Sequence, residues 1–343
     1  MMLCCPECFG DAGLRDQIIP QRSSQTGTCP TCGSENQPLL PARELADYFE
    51  LLLTIYPQVD DGKSLVEWLS ADWSLFHNPN VSNAQAQILL GEIFDDGEIV
   101  RGQFGLSESC RTDSLERWRA LTDELKYANR YFPDSAIDTE RLEVHLSNLI
   151  LRKGEKPDIW YRSRIEKDGQ AIPIDKMGAP PAKLASSGRA NPIGIPYLYL
   201  GSTVETAICE VRAQPGEIVC VAGFVLDDDL KIVDLRAPRT LVSPFLEEDE
   251  GSIALLRGDI DFLEILGKEL ATPIVPDGAA INYIPSQFLC EFIKKCGFDG
   301  VAYGSSMSSG MNVALFLPDA AKGQSVAEYE VASLSLKYRP IER

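Results

Sequence analysis

The sequence of 343 residues predicts an α+β protein built from three successive segments. Three observations lead there. Two Cys-Pro-x-Cys pairs crowd the first 32 residues, apolar residues recur at helical spacing from Pro41 to about Leu151, and short β-rich runs interleaved with two or three helices begin after Lys156. A chain this long exceeds the size at which single cores usually stop growing, so division into domains is expected. The boundaries fall at residues 1–38, 41–152 and 156–343.

The first segment reads as a zinc ribbon. Cys5-Pro-Glu-Cys8 and Cys29-Pro-Thr-Cys32 are separated by 20 residues, and Gly33 can supply the tight turn that the second knuckle needs. Four thiolates at this spacing can close a tetrahedral Zn site, and so short a segment could hardly bury a core without one. Reduced thiols and an iron–sulfur centre are the alternatives, and Cys4 competes with Cys5 for the first position. A closed four-sulfur site leaves no position for a substrate, so the ion's role is expected to be structural.

The second segment reads as an α-helical bundle. Leu45, Phe49, Leu52, Leu53 and Tyr56 recur at steps of three and four, as do Leu115, Trp118, Leu121 or Thr122, and Leu125. Ser82 and Asn83 can cap a further helix carrying Ile88, Leu89 and Phe94. In the third segment, strands are expected over Ile159 to Arg164, Tyr197 to Leu200, Glu217 to Val225 and Lys231 to Leu235. A Gly/Pro/Ser-rich loop between Lys167 and Gly188 is too long for a tight connection, and such loops are often functional.

Charge and hydropathy narrow the function classes. A formal charge of −19 argues against a phosphate-tracking nucleic-acid surface, so an anionic ligand would need a local cluster of arginines. No basic stretch precedes an apolar run at the N-terminus, and no run of about 18 apolar residues occurs, which predicts a cytosolic protein outside any membrane.

Three stretches of the third segment carry a resemblance. They are Trp160-Tyr161-Arg162-Ser163-Arg164; then Gly188-Arg189-Ala190-Asn191 through Tyr199-Leu200 to Glu210-Val211-Arg212; then Tyr283-Ile284-Pro285-Ser286-Gln287, Gly300-Val301-Ala302-Tyr303-Gly304-Ser305-Ser306 and Asn312-Val313-Ala314-Leu315-Phe316. In this order, from Trp160 to Phe316, they resemble the RES family, named for an arginine, a glutamate and a serine. The resemblance implies a mixed β-sheet fold similar to ADP-ribosyltransferases and an enzyme that destroys NAD by phosphorolysis or hydrolysis, as toxins of toxin–antitoxin pairs do. The family's arginines then fall on Arg162 and Arg189, its tyrosine on Tyr199, its glutamate on Glu210 and its serine on Ser305, with Arg164 and Ser306 as competitors. Segment 41–152 resembles the HEPN-like domain that precedes some RES domains.

Breaking the bond between nicotinamide and its ribose generates an oxocarbenium-like centre, so a site must stabilise cation on the sugar while gripping the pyrophosphate. Glu210 would meet the ribose, Arg162 and Arg189 the phosphates, and Tyr199 would stack on the nicotinamide. Ser305 would orient the nicotinamide or its ribose, with Asn312 in support. Taken alone, the same residues fit blander roles: Glu205 and Glu210 would point about 140° apart on a helix, as on any solvated acidic face. Transfer of ADP-ribose to a macromolecule is the second enzyme reading, and a non-enzymatic zinc-ribbon adaptor the third. HEPN ribonucleases pair an arginine with a histidine, but only Arg141 and His145 approach that spacing here, and His145 falls on the apolar face of Leu142, Leu146 and Leu149. Control by an antitoxin or by the chain's own N-terminal half, and a homo-oligomeric state, are left open.

Overall fold

The computed structural model describes residues 2–167, 169–273 and 278–334. The chain divides into two compact units. The first comprises Met1–Arg119, Ala136–Asp138 and Ala237–Glu264, the second Ala120–Ser135, Thr139–Arg236 and Ile265–Arg343. Segment 237–264, read from sequence with the third module, therefore groups with the first unit, and helix Thr139–Asn148 groups with the second. Among the described residues no helix is long and apolar enough to cross a membrane.

In the first unit, β1 (Leu3–Cys4), β2 (Gln25–Gly27) and β3 (Gln37–Pro41) form a three-stranded sheet of order β1-β3-β2 that frames the cysteine knuckles. Helices Ala46–Leu53, Leu65–Trp73 and Asn83–Phe94 follow, and a short antiparallel pair joins β4 (Gln58–Val59), between the first two, to β5 (Gln103–Phe104), after the third. Ser82 caps the third helix as expected, accepting from Gln85 N while the Gln85 side chain accepts from Ser82 N; Ser64 and Glu67 make the same reciprocal cap on the second.

The second unit is built on a seven-stranded mixed sheet. Its strands are β6 (Trp160–Ile165), β7 (Leu198–Gly201), β8 (Ile218–Leu226), β9 (Ile232–Asp234), β10 (Gly300–Gly304), β11 (Met311–Leu315) and β12 (Ala321–Glu330), in the order β12-β8-β6-β7-β11-β10-β9. Only β9 and β10 run parallel. The four strands expected from sequence are present, each within two residues of its predicted bounds.

Alternation divides this sheet into two chemically different faces. Leu198 and Leu200 of β7, Val313 and Leu315 of β11 and Ala302 of β10 join Trp160 and Phe224 in one buried core. Directly opposed residues share a face, so the pairs Tyr303↔Asn312, Asn312↔Gly201 and Gly201↔Tyr161 place Tyr303, Asn312 and Tyr161 together on the other face, with Tyr199 two residues before Gly201. That polar face carries the candidate site.

Candidate functional site

A cavity of about 490 Å³ opens on the second unit. Tyr161, Arg162 and Ser163 of β6 and Tyr199, Leu200 and Gly201 of β7 all line it. Three consecutive residues from each strand can reach one cavity only where the strands part, and β6 meets β7 through the single pair Tyr161↔Gly201. The gap beside that pair admits Arg162, whose Nη1 donates to the Tyr199 carbonyl at 3.1 Å.

The gap leaves Arg162 a buried cation that borders the cavity. Among the described residues no carboxylate acts on it appreciably, and its Nε is buried without a hydrogen-bond partner. Burial, and then the neighbouring Arg164 charge, push its pKa down to about 10, which still leaves a full cation at neutral pH. Arg164 points elsewhere: its Nη2 donates to the Gly178 carbonyl at 2.8 Å, and it does not line the cavity.

Glu210 closes helix Val204–Glu210, which Thr203 caps by accepting from Thr206 N. Its Oε1 accepts from Asn312 Nδ2 at 2.7 Å and from Ser305 Oγ at 3.0 Å. Among the described residues Oε2 has no hydrogen-bond partner, so one carboxylate oxygen is held and the other is available. The loop carrying Ser305 joins β10 to β11 and is fixed to the same helix, because Thr206 Oγ1 and Ser308 Oγ lie 2.9 Å apart. Any side chain at Gly310 would collide with Thr206, which explains the glycine there.

Arg189 also lines the cavity and is positioned through its neighbours. Tyr199 Oη accepts from Ala190 N at 3.0 Å and Asn191 N at 3.2 Å, and donates to Asn191 Oδ1 at 2.7 Å. Ser286 Oγ donates to the Arg189 carbonyl at 2.6 Å, and Gln287 Nε2 to the Gly188 carbonyl at 2.8 Å, so helix Ile284–Lys295 clamps the loop from the other side. A Cβ at Gly188 would overlap Asn191 Oδ1 and stand 2.7 Å from Tyr199 Oη, so only glycine lets the clamp close. The Arg189 guanidinium donates to the Leu270 carbonyl.

The five residues of the expected constellation thus divide as follows. Arg162, Arg189, Tyr199 and Glu210 all line the cavity, as does Asn312, whereas Ser305 touches it through Glu210 and its neighbour Ser306 supplies the lining. Tyr199 holds the Arg189 loop by its hydroxyl. Burial raises the Tyr199 pKa, keeping it a neutral phenol. Sequence reasoning assigned no role to Tyr161, Arg212, Tyr283 or Tyr303, which also line the cavity although each lies in a quoted motif. Arg212 has φ 53°, in the left-handed region that a long side chain seldom adopts.

In the first unit, the Cys5 and Cys8 sulfurs lie 3.9 Å apart, Cys5 and Cys32 3.4 Å, and Cys8 and Cys29 3.5 Å. All four Sγ atoms fall within 4.8 Å of one another, so the cluster could hold a metal ion. Four sulfurs around a tetrahedral ion at ~2.3 Å stand ~3.8 Å apart, close to these spacings. Cys4 is outside the set; its Sγ reaches the Leu40 carbonyl at 3.5 Å across the β1–β3 pair. His145 is 6% exposed, in the core position expected for a packed histidine.

A family model, the RES domain, matches residues 159–337. A chain in the crystal structure of the M. tuberculosis MbcT-MbcA toxin-antitoxin complex is similar at 13% identity and a TM-score of 0.34, covering 57% of this chain and 92% of that one. No curated protein matches.

Proposed function

This chain belongs to the RES-domain family, and from that premise and the cavity beside Glu210 we propose that it degrades NAD, cleaving the nicotinamide–ribose bond with phosphate or water as acceptor. The observation that carries the reading is the half-restrained carboxylate: Asn312 and Ser305 hold Glu210 Oε1, leaving Oε2 to face a sugar in a cavity that also contains Arg162 and Arg189.

In the proposed step the bond between C1 of the ribose and the pyridinium nitrogen breaks, and its electron pair leaves with the nitrogen. Nicotinamide departs neutral, so no general acid is needed. The positive charge that develops on the sugar lies beside Glu210, whose carboxylate is fixed beforehand and needs little reorganisation. Arg162 and Arg189 grip the pyrophosphate and so locate the sugar against that carboxylate. A phosphate oxygen or a water then bonds to C1, and where water attacks its proton passes to Glu210 Oε2 and from there to solvent. At the four cysteines we propose structural zinc, since a closed sulfur site offers no open coordination position.

The test is incubation of the full chain with NAD, with and without phosphate, and identification of the sugar product. Phosphate-dependent ADP-ribose-1''-phosphate would make the enzyme a phosphorylase, and free ADP-ribose a hydrolase. NAD left intact under both conditions would refute the reading.

A further inference from the structure

Tyr303 is a cavity residue whose hydroxyl is not engaged and whose place on the sheet is fixed by its strand pairing. It is 4% exposed, borders the cavity, and among the described residues its hydroxyl has no hydrogen-bond partner. Tyr199, in the same cavity, makes three hydrogen bonds. The Tyr303 hydroxyl is not among the buried polar atoms sealed off without a partner, so it is left to the cavity, where a bound ligand can pair with it.

The strand pairing says which part of a ligand it would meet. Tyr303 of β10 is directly opposite Asn312 of β11, on the same face, and Asn312 is the residue that holds Glu210 Oε1. The phenol is therefore one strand away from the residue that holds the carboxylate, in the cavity that Glu210 also lines. Burial first, then Tyr199 and Glu210, raise its titration well above that of an ordinary tyrosine, while Arg189 pulls the other way. It is thus a neutral O–H donor throughout the working pH range, lying between the field of a carboxylate and that of a guanidinium.

We infer that Tyr303 contacts the substrate, donating its phenolic hydrogen to the nicotinamide-side ribose of bound NAD. The inference rests on the NAD reading above. It adds a ribose-recognition group outside the arginine, tyrosine, glutamate and serine set.

The experiment compares binding of ADP-ribose and ADP to the full wild-type chain and to Tyr303→Phe, by calorimetry. ADP-ribose keeps the ribose in question, and ADP lacks it. Losing one neutral hydrogen bond should weaken ADP-ribose by ~3- to 10-fold and leave ADP unchanged. The apo variant should melt no lower than the wild type, since phenylalanine keeps the ring and deletes only an unpaired hydroxyl. Equal ADP-ribose affinity in the two chains would overturn the assignment. So would parallel weakening of both ligands, which would mark a merely structural role. A wild-type chain that bound neither ligand and left NAD intact would remove the NAD reading, and this inference with it; failure of Tyr303 alone would leave that reading standing.

Discussion

Replacing Glu210 by glutamine separates charge from geometry at the centre of the site. Both hydrogen bonds to this side chain land on one oxygen, from Asn312 Nδ2 at 2.7 Å and Ser305 Oγ at 3.0 Å. An amide oxygen can accept both, and the new NH2 group takes the place of Oε2, which has no partner to lose among the described residues. The cost to stability is the difference between charged and neutral acceptors, ~1 kcal/mol, or a melting shift of ~2–4 °C for a unit of this size. The chemical step should suffer far more. Removing one preorganised group that stabilises transition-state charge typically costs ~10²- to 10³-fold in turnover, equivalent to ~2.7–4 kcal/mol. The assay is nicotinamide release from NAD at saturating substrate, with calorimetric melting and ADP-ribose binding in parallel. Turnover within about tenfold of wild type would refute the carboxylate's role. A large fall in melting temperature would mean that Glu210 holds the loop together and would remove the distinction on which the argument depends.

Tyr199→Phe deprives Ala190 N and Asn191 N of their acceptor, and at ~1–3 kcal/mol for a buried group left unpaired it should lower the melting temperature and raise KM through the displaced Arg189 loop; an unchanged melt would show that the clamp contributes nothing. Arg162 is a cation below its folded pKa of about 10 and loses charge as pH rises through that value, so pyrophosphate affinity should be flat from about pH 7 to about pH 9 and then fall, and the fall should be absent in Arg162→Met. Wild-type chain should carry about one zinc by elemental analysis and Cys29→Ser should lose it; wild-type chain purified without metal, yet melting unchanged when zinc is added, would exclude a structural ion.

The elements that sequence located well are those in which local chemistry and tertiary contacts agree. The cysteine set was readable because its spacing alone determines a tetrahedron, and Ser82 because its cap is a contact within one turn. Helix Glu250–Ala271 was not placed, although its apolar residues recur at helical steps, because Gly251, Gly258 and Gly267 punctuate it. The fold explains two of these glycines. A Cβ at Gly258 would collide with the Cys110 carbonyl, and one at Gly267 with the Leu235 carbonyl, so close backbone approach overrides helix propensity. Strand β12 escaped notice for the opposite reason: most of its residues are exposed, so no apolar alternation marks it.

The same distinction governs the site. Arg162 and Arg164 are two residues apart on one strand, and alternation puts both on one face, so periodicity cannot choose between them. What separates them is the parting of β6 from β7, which gives Arg162 the cavity and leaves Arg164 to the Gly178 carbonyl. Ser305 and Ser306 differ for a similar reason: one turn sends the first hydroxyl to Glu210 and sets the second residue against the cavity. Tyr303 is the limiting case. An aromatic in a strand reads as core from sequence, and it is indeed buried, yet its pairing with Asn312 sets it near Glu210, the carboxylate that lines the cavity among the described residues. A residue can therefore satisfy the pattern of a core position and still border the cavity, because burial describes the whole side chain and not its one polar atom.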